Sequence, residues 1–93
     1  MKLIYTEGAI KDLKRLREFI DKHNPNAALR IAKELINKIN LLVDFPHVGT
    51  TVKLAPSPET VRDMVFGNYI VRYSIHNETI MVLRIWHGLE GER

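Results

Sequence analysis

The chain has 93 residues, 45% hydrophobic and 27% charged, with a formal charge of +3 and no cysteine. That is near the size of one compact domain and too small for two, and it is too apolar for a disordered tail. Without cysteine there is no disulfide, thiolate metal site or cysteine nucleophile, and a reducing compartment fits.

Met1-Lys2 is followed by three residues before the polar Thr6-Glu7, which leaves no apolar region for a signal peptide. No run approaches the ~18 apolar residues of a membrane span. The expected location is therefore the cytoplasm, with no membrane partner. Asn77-Glu78-Thr79 matches a glycosylation acceptor, but with no secretory signal it reads as a turn. The first 45 residues hold nine Lys/Arg against six Asp/Glu, and the remainder hold five of each. A basic surplus of this size favours an acidic partner or nucleic acid without specifying which. So short a chain buries only roughly 60–65% of its unfolded surface, which makes a partner covering the rest an expectation from size alone.

Lys2-Leu3-Ile4-Tyr5 reads as a short strand. After Thr6, the residues Ile10, Leu13, Leu16, Phe19 and Ile20 recur at helical spacing, with Lys11, Asp12, Lys14, Arg15, Arg17, Glu18, Asp21 and Lys22 assigned to the solvent stripe. Asn24-Pro25 predicts a second helix, with Asn as cap and Pro at the first helical position. Its apolar positions run from Ala28 through Ile31, Leu35, Ile39 and Val43, and Pro46 halts it. The two helices form an antiparallel hairpin. Residues 47–60, with Gly49, Pro56 and Pro58, read as a loop.

From Val61 the texture becomes β-branched and aromatic, broken at Gly67-Asn68 and Asn77-Glu78, which predicts strands over 61–66, 69–76 and 79–87. The expected fold is α+β, in the order β-α-α-β-β-β, with the hairpin on a small, mainly antiparallel sheet. A two-residue turn at Asn77-Glu78 with unbroken register would set Tyr69 opposite Trp86. One face would then gather Tyr69, Val71, Tyr73, Ile75, Ile80, Val82, Arg84 and Trp86 against the helices. The other would leave Ile70, Arg72, Ser74, His76, Thr79, Met81, Leu83 and Ile85 for a partner.

None of the four histidines stands in a helical His-x-x-x-His or Glu-x-x-His pair, so neither a metal nor another cofactor is expected. His23 and His47 read as surface residues in turns, and His76 has the same default. His87 follows Trp86 at the end of the last strand, where an imidazole can act as acid or base. Arg62, Arg72 and Arg84 come from three strands and would grip an anion if they converged. Unbroken register sets Arg72 and Arg84 on opposite faces, and Arg84 has the alternative of capping a core edge or pairing with a helix carboxylate. No phosphate loop, nucleophile elbow or dinucleotide fingerprint is present.

Taken in order, three stretches carry a resemblance. They are Asn24-Pro25 with Ala27-Ala28, then Phe45-Pro46-His47-Val48-Gly49, and finally the closing run. That run holds Val61-Arg62-Asp63-Met64-Val65, Gly67-Asn68-Tyr69-Ile70-Val71-Arg72-Tyr73 and Leu83-Arg84-Ile85-Trp86-His87-Gly88. Over nearly its whole length the chain resembles the RelE/ParE toxin superfamily, and the closing strands look like those of ParE-type toxins.

The resemblance implies the fold of microbial ribonucleases and a cognate antitoxin that wraps the toxin in a hetero-oligomer. RelE-type members cut messenger RNA on the ribosome, whereas ParE-type members poison DNA gyrase without cutting. Two positions depart from the nuclease pattern: Ile70 stands where those nucleases commonly carry arginine, and Gly88 follows His87 where the histidine-using ones have tyrosine. Isoleucine cannot stabilise a pentacovalent phosphate. The expected function is a ParE-like gyrase inhibitor with no chemistry of its own. The alternative is a RelE-like ribosome-dependent endoribonuclease using Arg62, Arg72 and His87, and a third reading is a member that has lost toxicity. Arg62, Arg72, His76, Arg84, Trp86 and His87 are the candidate contacts for target or antitoxin.

Overall fold

A computed structural model describes residues 1–53, 55 and 60–91; Pro56 and Pro58 of the predicted loop lie outside the described residues. Strand β1 (Lys2–Tyr5) leads to Thr6, whose hydroxyl accepts the Ala9 N–H at 3.1 Å and so starts helix α1 (Glu7–His23). The Asn24 N–H closes α1 on the Ile20 carbonyl at 2.6 Å, and Pro25 opens helix α2 (Pro25–Asn40) in the next position. Asn24 thus ends one helix and begins another with φ −156° and ψ 85°, and its side chain makes no cap bond, contrary to the expected role. Helix α1 also runs through His23, which the sequence reading had set in the turn. A 3₁₀ turn at Leu41–Val43 tightens the end of α2 before Pro46.

Four further strands follow among the described residues: β2 (Thr50–Thr51), β3 (Val61–Phe66), β4 (Tyr69–His76) and β5 (Thr79–His87). The last three match the predicted bounds. β2 lies inside the predicted loop, where two exposed threonines give no period to detect. The sheet order is β1-β5-β4-β3-β2. All pairings are antiparallel except β1 with β5, which joins Lys2 to Thr79 in parallel across the length of the fold.

The core lies between the helix pair and one face of the sheet. Leu16, Ile20, Leu35 and Ile39 come from the helices, Leu42 from the 3₁₀ turn, and Val71, Tyr73, Ile80, Val82 and Ile85 from β4 and β5. Burying a Leu, Ile or Val side chain of this kind contributes roughly 1.5–3 kcal/mol, so this layer supplies most of the driving force for the fold.

The β4–β5 register corrects the sequence reading. From His76 opposite Thr79 to Tyr73 opposite Val82 the pairing is unbroken, but Arg72 then meets Arg84, leaving Leu83 as an extra residue in β5. One inserted residue reverses the facing of everything beyond it. Ile85, assigned to the open face, is fully buried in the core, and His87 instead of Trp86 pairs with Tyr69. Trp86, assigned to the helix side, packs against Arg72 outside the core cluster. Arg72 and Arg84, assigned to opposite faces, are direct cross-strand neighbours. The warning was in the sequence: strict alternation had put an arginine in the greasiest row.

Candidate functional site

Strand β1 ends opposite Val82, so β5 must find other partners for its outer edge from Leu83 onward. Helix α1 and the segment after β5 supply them. The Thr6 hydroxyl donates to the Leu83 carbonyl at 2.9 Å, and the Ile85 N–H donates to Asp12 Oδ2 at 2.8 Å. Arg15 Nη2 donates to the Ile85 carbonyl at 2.9 Å, and the His87 N–H donates to Glu90 Oε1 at 2.9 Å. Asp12 also receives Arg84 through Nε (2.8 Å) and Nη2 (3.1 Å), together with a short bond from Arg15 Nη1. Arg15 Nε in turn donates to Glu90 at 2.9 Å.

Asp12 is buried, not on the solvent stripe; its spacing from Ala9 and Leu16 already put it on the apolar side. Burial alone would raise its pKa. The bonds from Arg84, the Ile85 N–H and Arg15 outweigh that and hold the carboxyl at about 2. Arg84 therefore realises the alternative foreseen for it, a pair with a helix carboxylate.

Of the other candidate residues, His87 touches this seam through its N–H and Trp86 stacks with Arg72, whereas Arg62, Arg72 and His87 stand apart from one another. Arg62 pairs with Tyr73 on the helix-facing side of the sheet, where its Nη1 donates to the Gly49 carbonyl at 2.7 Å and the His47 carbonyl at 3.3 Å. Arg72 is on the reverse face, forked onto Asp63 at 2.9 and 3.0 Å, with its guanidinium 5.1 Å from the centre of the Trp86 ring. His76 ends β4 exposed at the Asn77-Glu78 turn. His87 lies at the far end of β5, its ring 5.1 Å from Tyr69 and 5.7 Å from Phe19, and its Nδ1 accepts the Leu89 N–H. Ile70 and Gly88 sit at that same end, Ile70 opposite Trp86 and the Gly88 N–H on the Asn68 carbonyl. Among the described residues no cluster suits a metal ion, and no helix is long and apolar enough to cross a membrane.

A different feature escaped the sequence reading. The segment after α2 returns across the end of β3 and is pinned by Tyr73, whose hydroxyl donates to the Pro46 carbonyl (2.7 Å) and accepts the Gly49 N–H (3.0 Å). Gly49 is required there, because a β-carbon would come within 2.8 Å of the Asp63 carbonyl oxygen. Between this segment and β3 lies an apolar groove of about 280 Å³, walled by Leu41, Leu42, Phe45 and Val48 on one side and Met64 to Gly67 on the other. Among the described residues, Lys38, with Nζ 5.8 Å from the centre of the Phe66 ring, is the one charged residue that lines it.

Residues 3–91 match the family described as the ParE toxin of the type II toxin–antitoxin system parDE. The chain is 32% identical over 84 residues to a Caulobacter vibrioides toxin named RelE1, covering 88% of this chain and 87% of the relative. It is 30% identical over 87 residues to toxin RelE2 of the same organism, covering 92% and 93%. Among solved structures, a chain of the chromosomal ParDE system of P. aeruginosa superposes with a TM-score of 0.80 at 21% identity, covering 94% and 95% of the two chains. A chain of the RelBE2 toxin–antitoxin complex of Mycobacterium tuberculosis gives 0.67 at 21% identity, covering 92% and 88%.

Proposed function

Because the chain belongs to the ParE toxin family of type II toxin–antitoxin systems, we propose that it arrests bacterial growth by binding DNA gyrase, and that a cognate antitoxin neutralises it. The observation that carries the first half is the dispersal of the arginines and His87. In-line attack on a phosphodiester needs a base and a charge-stabilising group within a few ångströms of one phosphate. Here Arg62 faces the helix side and its bonded carbonyls, Arg72 is neutralised by Asp63 on the reverse face, and one His87 nitrogen is occupied by Leu89. Ile70 and Gly88 supply no ionisable group at that end of the sheet. The antitoxin half is supported by the solved relatives, one from a ParDE system and one from a RelBE2 toxin–antitoxin complex.

The second reading, a ribosome-dependent endoribonuclease, is favoured by the RelE names of the two Caulobacter toxins. One pair of assays separates them. Purified toxin is expected to block gyrase supercoiling or trap cleaved DNA, and to leave messenger RNA on programmed ribosomes intact. Cleavage in the ribosomal A site that His87→Ala or Arg72→Ala abolishes while ribosome binding persists would overturn the gyrase reading.

A further inference from the structure

β2 is too short to cover the strand beside it. It pairs with β3 only at Asp63 and Arg62, and the Val52 N–H adds a bond to the Val61 carbonyl. In an antiparallel ladder alternate residues bond to alternate sides, so Val61 and Asp63, which bond outward to the β2 segment, fix Val65 as the next residue whose N–H and carbonyl point outward. Beyond Asp63 no strand meets that edge among the described residues. Val65 is also 69% exposed, and Phe45 and Val48 across the groove are each 62% exposed. Proteins ordinarily blunt an open edge with charge, proline or a covering segment. Residues 64–67 carry none of these, and an apolar groove runs directly alongside them.

We propose that this edge receives one extended segment of the antitoxin, added as a strand beside Val65, with a large apolar side chain in the groove and a carboxylate against Lys38. The proposal rests on the toxin–antitoxin reading above. Backbone pairing and a side-chain pocket are the two components of recognition by strand addition, and both occur here within one residue of each other. The chemistry of the occupant follows from the lining. Leu41, Leu42, Phe45, Val48, Met64 and Phe66 accept only apolar groups, whereas the ammonium of Lys38 has no carboxylate among the lining residues to answer it. An incoming Asp or Glu supplies that charge, in keeping with the net charge of +3 on this chain.

The test uses the full-length toxin and the full-length product of the gene beside it. Val65→Pro deletes the outward N–H, and proline is tolerated at an edge strand where that N–H faces solvent, so the free toxin should stay folded. It is expected to weaken the complex by about tenfold, the equivalent of a lost hydrogen bond. Lys38→Glu is expected to weaken it several-fold in low salt and less in high salt. Hydrogen exchange adds a measurement that needs no substitution: the Val65 amide should exchange at least about tenfold more slowly in the complex than in the free toxin. Binding that is undiminished by both substitutions, with an unprotected Val65 amide, overturns this proposal and leaves the antitoxin reading standing. Failure of the neighbouring gene product to bind wild-type toxin overturns both.

Discussion

The two edges of the sheet meet the same requirement in opposite ways. Where β1 stops, the edge of β5 is closed by side chains of the protein itself: Thr6, Asp12, Arg15 and Glu90 take up its exposed peptide groups one after another. Where β2 stops, the edge of β3 is left with Val65 turned outward beside an apolar groove. An unmade backbone bond would be costly at the buried first edge and costs little at the second, where water reaches Val65. The first edge is built for the stability of the isolated chain, and the second is kept available.

The comparison predicts unequal costs. Asp12→Ala should be the most damaging change, destabilising by about 3 kcal/mol in denaturant unfolding, since it leaves the buried Ile85 N–H unpaired and removes the carboxylate that Arg84 and Arg15 share. A cost below about 1 kcal/mol would show that the seam is decorative. The same group gives a pH signature. Its folded pKa of about 2 is below the ordinary value of 3.8, so its contribution is fully present above pH ~4 and is lost as pH falls through about 2. The wild type should therefore lose about 2 kcal/mol of stability across that window, and Asp12→Asn should flatten the profile there.

Tyr73→Phe comes next, at about 1–3 kcal/mol, because it leaves the Gly49 N–H and the Pro46 carbonyl without their shared partner. If the tyrosine holds the groove wall as described, this variant should also bind the antitoxin more weakly, measurable by calorimetry. Thr6→Ala should cost about 1 kcal/mol through the lost cap of α1. Val65→Pro in the free toxin closes the series at under about 0.5 kcal/mol, because nothing at that edge is broken. Comparable losses for Val65→Pro and Asp12→Ala would dissolve the distinction between the edges.

Elements with a clear period were readable in the sequence. The apolar repeat of both helices and the β-branched runs over 61–66, 69–76 and 79–87 are signals of local spacing, and burial follows them because one face must meet the core. Features that depend on what a residue meets across space were not. The extra residue at Leu83 changes no local composition, yet it exchanged the places of Ile85 and Trp86. The spacing of Asp12 from Ala9 and Leu16 puts it on the buried side of α1, but its partners there, on the unpaired edge of β5, are not readable from the chain order. The groove was invisible for the same reason: Phe45 and Val48 lie in a segment without periodicity, and Met64 to Gly67 reach them only through the fold. Among the candidate residues, the resemblance named Arg62, Arg72 and His87 together, and their separation depends on strand facing that the chain order does not disclose.

The parallel pairing of β1 with β5 has a consequence for biosynthesis. β1 leaves the ribosome well before β5, to which it is hydrogen-bonded in the finished fold, Leu3 beside Ile80 and Tyr5 beside Val82. Until β5 has emerged, β1 has no neighbour in the sheet, and Asp12 of the first helix has neither Arg84 nor Ile85 to hold. Contacts of such long sequence separation form late and slowly. A ribosome that has not yet delivered β5 therefore carries a chain unable to complete this sheet, and the fold cannot close until β5 has emerged.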